Sequence, residues 1–194
     1  MIPFEDFVED YYGRFIAALR DFDKQSLRGV LDVVDEVLAA QGTLWVAGNG
    51  GSAAISDHTV CDMTKGAHVH GAEVLRCHSL ASNIPMLTAI GNDIGYDEVF
   101  SKQLGYYVKP GDALLLVSSS GNSPNVVRAC ELANQLGIKT LAFVGFKGGK
   151  LKDIAGHTVW FQVENYGIVE DAHQSLIHVL SQYIRARSSA QTGA

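Results

Sequence analysis

Five short apolar runs that alternate with stretches of helical periodicity place the strongest constraint on the fold of this chain. The apolar runs occupy residues 43–47, 74–77, 113–117, 139–144 and 158–163. The helical stretches lie near residues 52–65, 84–90, 96–108, 123–136 and 168–187. Because strands that alternate with helices form parallel sheets with crossover helices, this order predicts an α/β fold.

The first forty residues have helical rather than strand periodicity. Apolar side chains recur at three- and four-residue steps over residues 4–19 and again over 27–38, and Gly42 marks the end of the second helix. The first helix carries more apolar surface than one α/β layer uses. We therefore expect a helix-mediated homo-oligomer.

Length and composition indicate a single domain. A chain of 194 residues with 47% hydrophobic content can fill a substantial core. We expect the following organisation: an oligomerisation segment over residues 1–42, the α/β domain over 43–187 as one structural unit with that segment, and a frayed tail over 188–194.

Charge and cysteine content exclude several functional classes. A formal net charge of -6 leaves no basic footprint for nucleic acid or for an anionic membrane. No apolar run is long enough to span a bilayer, and the acidic N-terminus lacks the basic and apolar regions of a signal peptide. The three cysteines have no CxxC spacing, which is typical of reduced thiols. We therefore expect a cytoplasmic protein.

Two serine–glycine stretches each follow an apolar run and open a helix. They are residues 48–52 (GNGGS) and 118–123 (SSSGNS). In open parallel sheets, ligands bind at the carboxyl ends of the strands, where both stretches are expected. Backbone N–H groups, hydroxyls and a helix dipole at that position suit a phosphate. The predicted ligand-binding residues are Asn49, Gly50, Ser52, Ser118, Ser119, Ser120 and Ser123, with the serines of 118–123 around the phosphate.

Turn formation is the alternative for both stretches, since Ser and Asn favour turns and helix N-caps. The four serines within 118–123 exceed what one cap needs. The first stretch is not a dinucleotide motif, because Ala53 stands where the third glycine is required. No Walker lysine follows either stretch.

Histidines and carboxylates on two predicted helices are candidate metal ligands. His58 and Asp62 are four residues apart and share a helix face, although such pairs also occur as plain surface hydrogen bonds. On the last helix, Asp171, Gln174 and His178 form a stripe at spacings of three, four and seven.

Other polar residues nearby have two interpretations each. Asp93 could contact substrate or cap a helix that begins near Tyr96. Cys61 is interpreted as inert core packing. The spacing of His68, His70 and His78 is only weak support for a second metal, and we favour a solvated loop or a contact between subunits.

Together, these motifs resemble the sugar isomerase (SIS) domain, specifically the phosphoheptose isomerases. The motifs are residues 48–52, 91–93 (GND), 118–123 and the last helix with His173 and His178, in the family's order. The resemblance implies a three-layer α/β/α flavodoxin-like sandwich with two N-terminal helices and a homotetramer with active sites between subunits. It also implies interconversion of sedoheptulose 7-phosphate and D-glycero-D-manno-heptose 7-phosphate for activated heptose biosynthesis.

The resemblance further implies one zinc ion per subunit, bound by His58, Asp62, Glu170 and His178. Asp62 stands where the family has glutamate, and Glu170 stands where it has glutamine. Asp62 or Glu170 would be the carbon base, and His178 the acid/base on the oxygen side. Asp171 and His173 remain alternatives to Glu170. By family position, Asp93 would contact substrate or act as a base.

Two other functions stay open at the level of sequence. One is a noncatalytic SIS module that binds a sugar phosphate or assembles partners. The other is an SIS enzyme that acts on another sugar phosphate, by amidosugar-phosphate isomerisation or etherase chemistry. Asp62 and Glu170 differ from the family pattern, which is compatible with either alternative. Retention of His58 and His178 favours the isomerase.

Overall fold

The computed structural model describes residues 2–193 and confirms the α/β fold. Five parallel strands form one sheet in the order β2-β1-β3-β4-β5, which is the flavodoxin-like order. The strands are β1 (Thr43–Gly48), β2 (Arg76–Ser79), β3 (Ala113–Ser118), β4 (Lys139–Val144) and β5 (His157–Trp160). The helices are α1 (Phe4–Asp21), α2 (Lys24–Ala39), α3 (Gly51–Cys61), α4 (Ile84–Asp93), α5 (Val99–Tyr107), α6 (Pro124–Gln135), α7 (Gly149–Ile154) and α8 (Tyr166–Thr192).

Two hydrophobic cores, one on each face of the sheet, give the three layers. Successive side chains of a strand point to opposite faces, so Leu115 and Leu114 of β3 lie in different cores. The first core packs the sheet against α2, α3 and α8, with Ala18 of α1 at its edge. The second core packs the sheet against α4, α5, α6 and α7. Burial on both faces explains why the three inner strands, β1, β3 and β4, are largely apolar, whereas the edge strands β2 and β5 are more polar and more exposed.

The predicted strands match the observed ones with small shifts at the ends. β2 begins at Arg76, two residues later than predicted, because Val74 is exposed before the strand starts. β5 ends at Trp160 rather than at residue 163. Helix α7 was not predicted: it begins at the second of two glycines, Gly149, and its six residues are too few to display a helical period.

Helix α1 exposes several large apolar side chains among its charged residues. Ala18 is its one buried residue, whereas Phe4, Phe7, Tyr12 and Ile16 are all exposed. This is the surface for which the sequence predicts a subunit contact, and that contact stays a prediction. No helix within residues 2–193 is long and apolar enough to cross a bilayer.

The last helix extends beyond the predicted domain limit at residue 187. α8 continues to Thr192, and Gly193 follows it in a left-handed conformation. The segment 188–194, expected to fray, therefore continues α8 over most of its length. Ala194 lies outside the described residues, and fraying itself stays a prediction.

Candidate functional site

The serine loop, residues 118–123, connects the carboxyl end of β3 to α6. Two of its hydroxyls stabilise the turn: Ser118 Oγ accepts from Gly121 N at 3.2 Å, and Ser120 Oγ accepts from Asn122 N at 3.3 Å. Ser119 is 5% exposed, and its Oγ has no hydrogen-bond partner among the described residues. Ser123 precedes α6 without capping it through its side chain.

The serine loop is therefore more than a turn. Turn formation accounts for Ser118 and Ser120 as acceptors, but it leaves the buried hydroxyl of Ser119 unexplained. A buried polar atom without a partner is costly unless something else supplies one. At the start of α6, Pro124 has no N–H and the N–H of Val126 donates to Asn125 Oδ1, which leaves the N–H of Asn125 and the positive end of the helix dipole. This arrangement fits an anion such as phosphate.

The first loop, residues 48–52, is joined to the start of α6 by a pair of amides. Asn49 Nδ2 donates to Asn125 Oδ1 at 2.8 Å, and Asn125 Nδ2 donates to Asn49 Oδ1 at 2.9 Å. The hydroxyl of Tyr96 also donates to Asn49 Oδ1, at 3.0 Å. The side chain of Asn49 thus holds two loops together, a role that the sequence did not reveal.

Glycines let the first loop turn sharply into α3. Gly50 has a φ of 56°, a left-handed conformation that favours glycine. A Cβ at Gly50 would meet no atom within 4 Å, so the space beside this residue is open. At Gly48, a Cβ would lie 2.6 Å from Ser52 O, so only glycine fits. Ser52 lies in the first turn of α3 and is 4% exposed. A cavity of about 410 Å³ adjoins Asn49, Gly50 and Tyr96.

His58, Asp62 and His178 converge at one point between α3 and α8. Asp62 Oδ2 lies 3.3 Å from His58 Nε2 and 3.5 Å from His178 Nε2, and the two Nε2 atoms are 3.3 Å apart. Asp62 begins a π-helical turn, Asp62–Gly66, that extends α3. Such turns occur frequently at functional sites. Three of the four predicted metal ligands therefore meet.

The donor atoms of this group fit zinc. Two imidazole nitrogens and a carboxylate oxygen are ligands that zinc prefers. The three atoms lie within 4.8 Å of one another, which is compatible with a shared ion. Among residues 2–193, this is the one group of three or more such side chains with that geometry, and it does not include His68, His70 or His78, for which we favour a solvated loop or a subunit contact. His78 instead packs against Trp45, with ring centroids 5.5 Å apart.

Glu170, the fourth predicted ligand, is not part of this group. Its carboxylate lies against the first residue of α3, where a Cβ on Gly51 would be 2.3 Å from Glu170 Oε2. Burial, with a contribution from the charge of Asp171, raises the pKa of Glu170. Glu170 is therefore next to the first loop, whereas His178 lies two turns further along α8.

The alternatives to Glu170 on α8 have different environments. Asp171 Oδ2 accepts from Tyr11 OH at 2.6 Å, a hydrogen bond that raises the pKa of Tyr11 to about 12. His173 is fully buried beside Phe143 and Phe161, with ring centroids 6.0 and 5.9 Å away, and burial lowers its pKa to about 4. Neither residue belongs to the metal group.

Gln174 is the α8 residue that contacts the group. Its Nε2 lies 3.1 Å from His178 Nε2. The side chains of Gln174 and His178 are thus in contact, as the predicted stripe of Asp171, Gln174 and His178 requires. The carboxylate of Asp171 instead accepts a hydrogen bond from Tyr11 of α1.

Two interpretations of nearby residues are wrong. Asp93 does not cap the following helix: it is the last residue of α4 and accepts from Asn92 Nδ2 at 2.8 Å, and Gly95 precedes the 3₁₀ turn Tyr96–Glu98. Cys61 is exposed rather than packed in the core, because it lies on the outer side of α3. The role of Asp93 toward substrate stays a prediction.

Comparison with known proteins identifies clear relatives. The SIS domain family model matches residues 9–145. The probable phosphoheptose isomerase of Thermoplasma volcanium is 38% identical over 177 residues, which cover 91% of this chain and 90% of the relative. The phosphoheptose isomerase of Helicobacter pylori strain P12 is 35% identical over 169 residues, covering 87% of this chain and 85% of the relative.

A solved structure agrees with these relatives. The phosphoheptose isomerase GmhA from Neisseria gonorrhoeae matches this chain with a TM-score of 0.86 at 28% sequence identity. The match covers 95% of this chain and 100% of that one. The similarity therefore includes the N-terminal helices as well as the sheet.

Proposed function

Because this chain belongs to the SIS-domain phosphoheptose isomerases and is an aldose–ketose isomerase of a sugar phosphate, we propose that it interconverts sedoheptulose 7-phosphate and D-glycero-D-manno-heptose 7-phosphate. The product would feed activated heptose biosynthesis. The family resemblance read from the motifs is confirmed. The observation that supports the proposed chemistry most directly is the convergence of Asp62 with His58 and His178.

The serine loop supports binding of the phosphate group. In the proposed complex, the hydroxyls of Ser119 and Ser123 donate to phosphate oxygens, together with the N–H of Asn125 at the start of α6. Ser118 and Ser120 still have their own hydroxyl protons to donate, because both act only as acceptors within the loop. Gly50, Ser52 and Asp93 would contact the sugar. Asn49 would act by holding the first loop against α6.

The reaction requires groups that move protons. Isomerisation through an enediol transfers a proton between adjacent carbons, so it needs a base on carbon and an acid/base group on the oxygens. We assign the carbon base to Asp62, with Glu170 as the second candidate, and the oxygen-side role to His178. Burial and the charge of Asp171 raise the pKa of Glu170, which makes its carboxylate a stronger base.

A zinc ion would be held by His58, Asp62 and His178, with Glu170 as the fourth predicted ligand. When bound, zinc would polarise the substrate oxygens and stabilise negative charge on the enediolate. Within one chain, Glu170 lies eight residues before His178 on α8, a rise of about 12 Å. We propose a homotetramer with active sites between subunits, in which a neighbouring subunit completes the site.

The free cysteines support a cytoplasmic setting. Cys77 and Cys130 are buried and free, and burial raises the pKa of Cys77 to about 12 and that of Cys130 to about 11. Such thiols are unreactive, and the cytoplasm keeps them reduced. We therefore propose a cytoplasmic enzyme.

Direct assay separates the three functional hypotheses. Purified protein is incubated with sedoheptulose 7-phosphate, with added zinc or with a chelator, and the products are resolved by ³¹P NMR. The isomerase predicts a heptose 7-phosphate that disappears with chelator and in the His58→Ala variant. His70→Ala, which changes an exposed histidine outside the site, is the matched control.

Each alternative predicts a different result. Tight binding of the ketose phosphate without product would support a noncatalytic sugar-phosphate module. Turnover of an amidosugar phosphate, with no change in the heptulose phosphate, would support another SIS enzyme.

A further inference from the structure

The loop that follows β4, residues 145–148, and the start of α7 pack directly on the serine loop. Gly145 N donates to Ser119 O at 2.9 Å, and Leu151 N donates to Gly121 O at 3.0 Å. Asn122 Oδ1 also accepts from Lys150 N at 2.8 Å. A Cβ on Gly121 would lie 1.9 Å from Gly148 O, so the two backbones touch. A ligand on the serine loop is therefore also close to this second loop.

Lys147 is the one cationic residue among the five loops at the carboxyl ends of the strands. The loops are residues 49–50, 80–83, 119–123, 145–148 and 161–165. Within residues 2–193, the exposed side chain of Lys147 forms no hydrogen bond and no ion pair. The nearby lysines are engaged: Lys150 pairs with Glu131, and the Lys152 ammonium lies 3.6 Å from the centre of the Trp160 ring.

The backbone beneath Lys147 is held in place. Phe146 has a φ of 47°, a left-handed conformation that is unfavourable for a bulky residue. Its N–H donates to Val163 O, its carbonyl accepts from Trp160 Nε1, and its ring lies 4.7 Å from that of Tyr166. These contacts fix the strained residue, so Lys147 can move its side chain without a rearrangement of the loop.

The anionic groups of the proposed site favour a cation close to the phosphate. A sugar phosphate brings negative charge to a protein with a net charge of -6, in a proposed site that already includes the carboxylates of Glu170 and Asp62. The serine loop offers only neutral donors. We propose that Lys147 pairs with the phosphate of the bound substrate and selects phosphorylated over unphosphorylated sugars, an inference that rests on the proposed phosphate site.

The test compares lysines three residues apart. Lys147→Met removes the charge and keeps the apolar stem, Lys147→Arg restores the charge, and Lys150→Met is the control because Lys150 pairs with Glu131 instead. Binding of sedoheptulose 7-phosphate and of inorganic phosphate is measured by calorimetry, and KM and kcat are measured for each variant.

Loss of the charge should weaken binding of both ligands and raise KM by about tenfold, the size expected for one charge-assisted contact. We expect kcat to stay within about twofold, since the contact is made before and during the reaction alike. Lys147→Arg should restore binding, and Lys150→Met should leave it unchanged. The difference in ligand affinity between wild type and Lys147→Met should become smaller at high salt, because salt screens the charge of Lys147.

The outcomes separate this inference from the proposed function. Equal phosphate binding by wild type and Lys147→Met would overturn the role of Lys147 while leaving the isomerase intact. Weaker binding by Lys147→Met, with no turnover by any variant, would support Lys147 and contradict the isomerase. A wild type that binds neither ligand would overturn both.

Discussion

At the scale of single residues, helix spacing predicted the pairing of His58 with Asp62, and the family resemblance joined His178 to them. His58 and Asp62 share a face across the junction of α3 with its π-helical turn, as residues four apart do. Spacing could not decide between Glu170, Asp171 and His173, since the rotation of α8 is set by its packing on the sheet. That packing buries His173 and directs Asp171 to Tyr11.

Hydrogen bonds between residues far apart in the sequence also depend on packing, so the sequence did not predict them. Asn125 meets Asn49 from 76 positions away, and Tyr11 meets Asp171 from 160 positions away. Tyr96 reaches Asn49 only because α4 returns the chain to the first loop. No local pattern marks such pairs, which depend on the topology of the sheet.

The buried His173 should make stability depend on pH. Its pKa falls from 6.5 in the unfolded chain to about 4 in the folded protein, so the folded state favours the neutral ring. The contribution of neutral His173 to the free energy of unfolding is therefore complete above pH 6.5. It is lost as pH falls toward 4, which lowers the free energy of unfolding by up to about 3 kcal/mol. Urea unfolding from pH 7 to 4.5 measures this loss.

Substitution at this position tests the origin of that loss. His173→Leu should remove most of the decrease between pH 6.5 and 4.5, whereas His70→Ala, at an exposed histidine, should keep it. An equal decrease in wild type and His173→Leu would assign the acid sensitivity to other groups.

At the scale of elements, the sequence located β1, β3 and β4 closely, because each is a buried apolar run between turn residues. The edge strands β2 and β5 are polar and partly exposed, and their predicted bounds are shifted by two or three residues at one end or both. The sequence also placed the serine loop at the end of β3. It did not reveal α7, nor the packing of the loop after β4 on the serine loop. Those contacts are made by glycine backbones, which carry no side-chain pattern.

The contact between these loops predicts a specific cost at Gly121. Gly121→Ala should destabilise the protein by more than about 2 kcal/mol, because the Cβ would collide with Gly148 O and φ is 66°. Gly137→Ala is the matched control: φ is 71°, but the position is open, so its cost should be about 1 kcal/mol. Urea unfolding compares the two variants, and equal costs would argue against tight packing of the loops.

At the scale of the whole molecule, the apolar surface of α1 predicts assembly. Phe7 and Ile16 are 55% and 48% exposed on this helix. Light scattering should give a tetramer for wild type and smaller species for the double variant Phe7→Glu and Ile16→Glu. Glu9→Ala, at an exposed polar position of the same helix, should remain tetrameric. A wild type that is monomeric at micromolar concentration would contradict the predicted assembly.

The central claim is proton transfer on a heptose phosphate by the group around Asp62, and isomerisation in D₂O tests it most directly. An enediol whose proton exchanges with solvent at the base acquires deuterium from D₂O. With sedoheptulose 7-phosphate as substrate, NMR should detect a heptose 7-phosphate that carries deuterium at C2 for wild type, and a loss of both product and label for Asp62→Asn. Binding of the ketose phosphate by wild type with neither product nor deuterium exchange would contradict the claim.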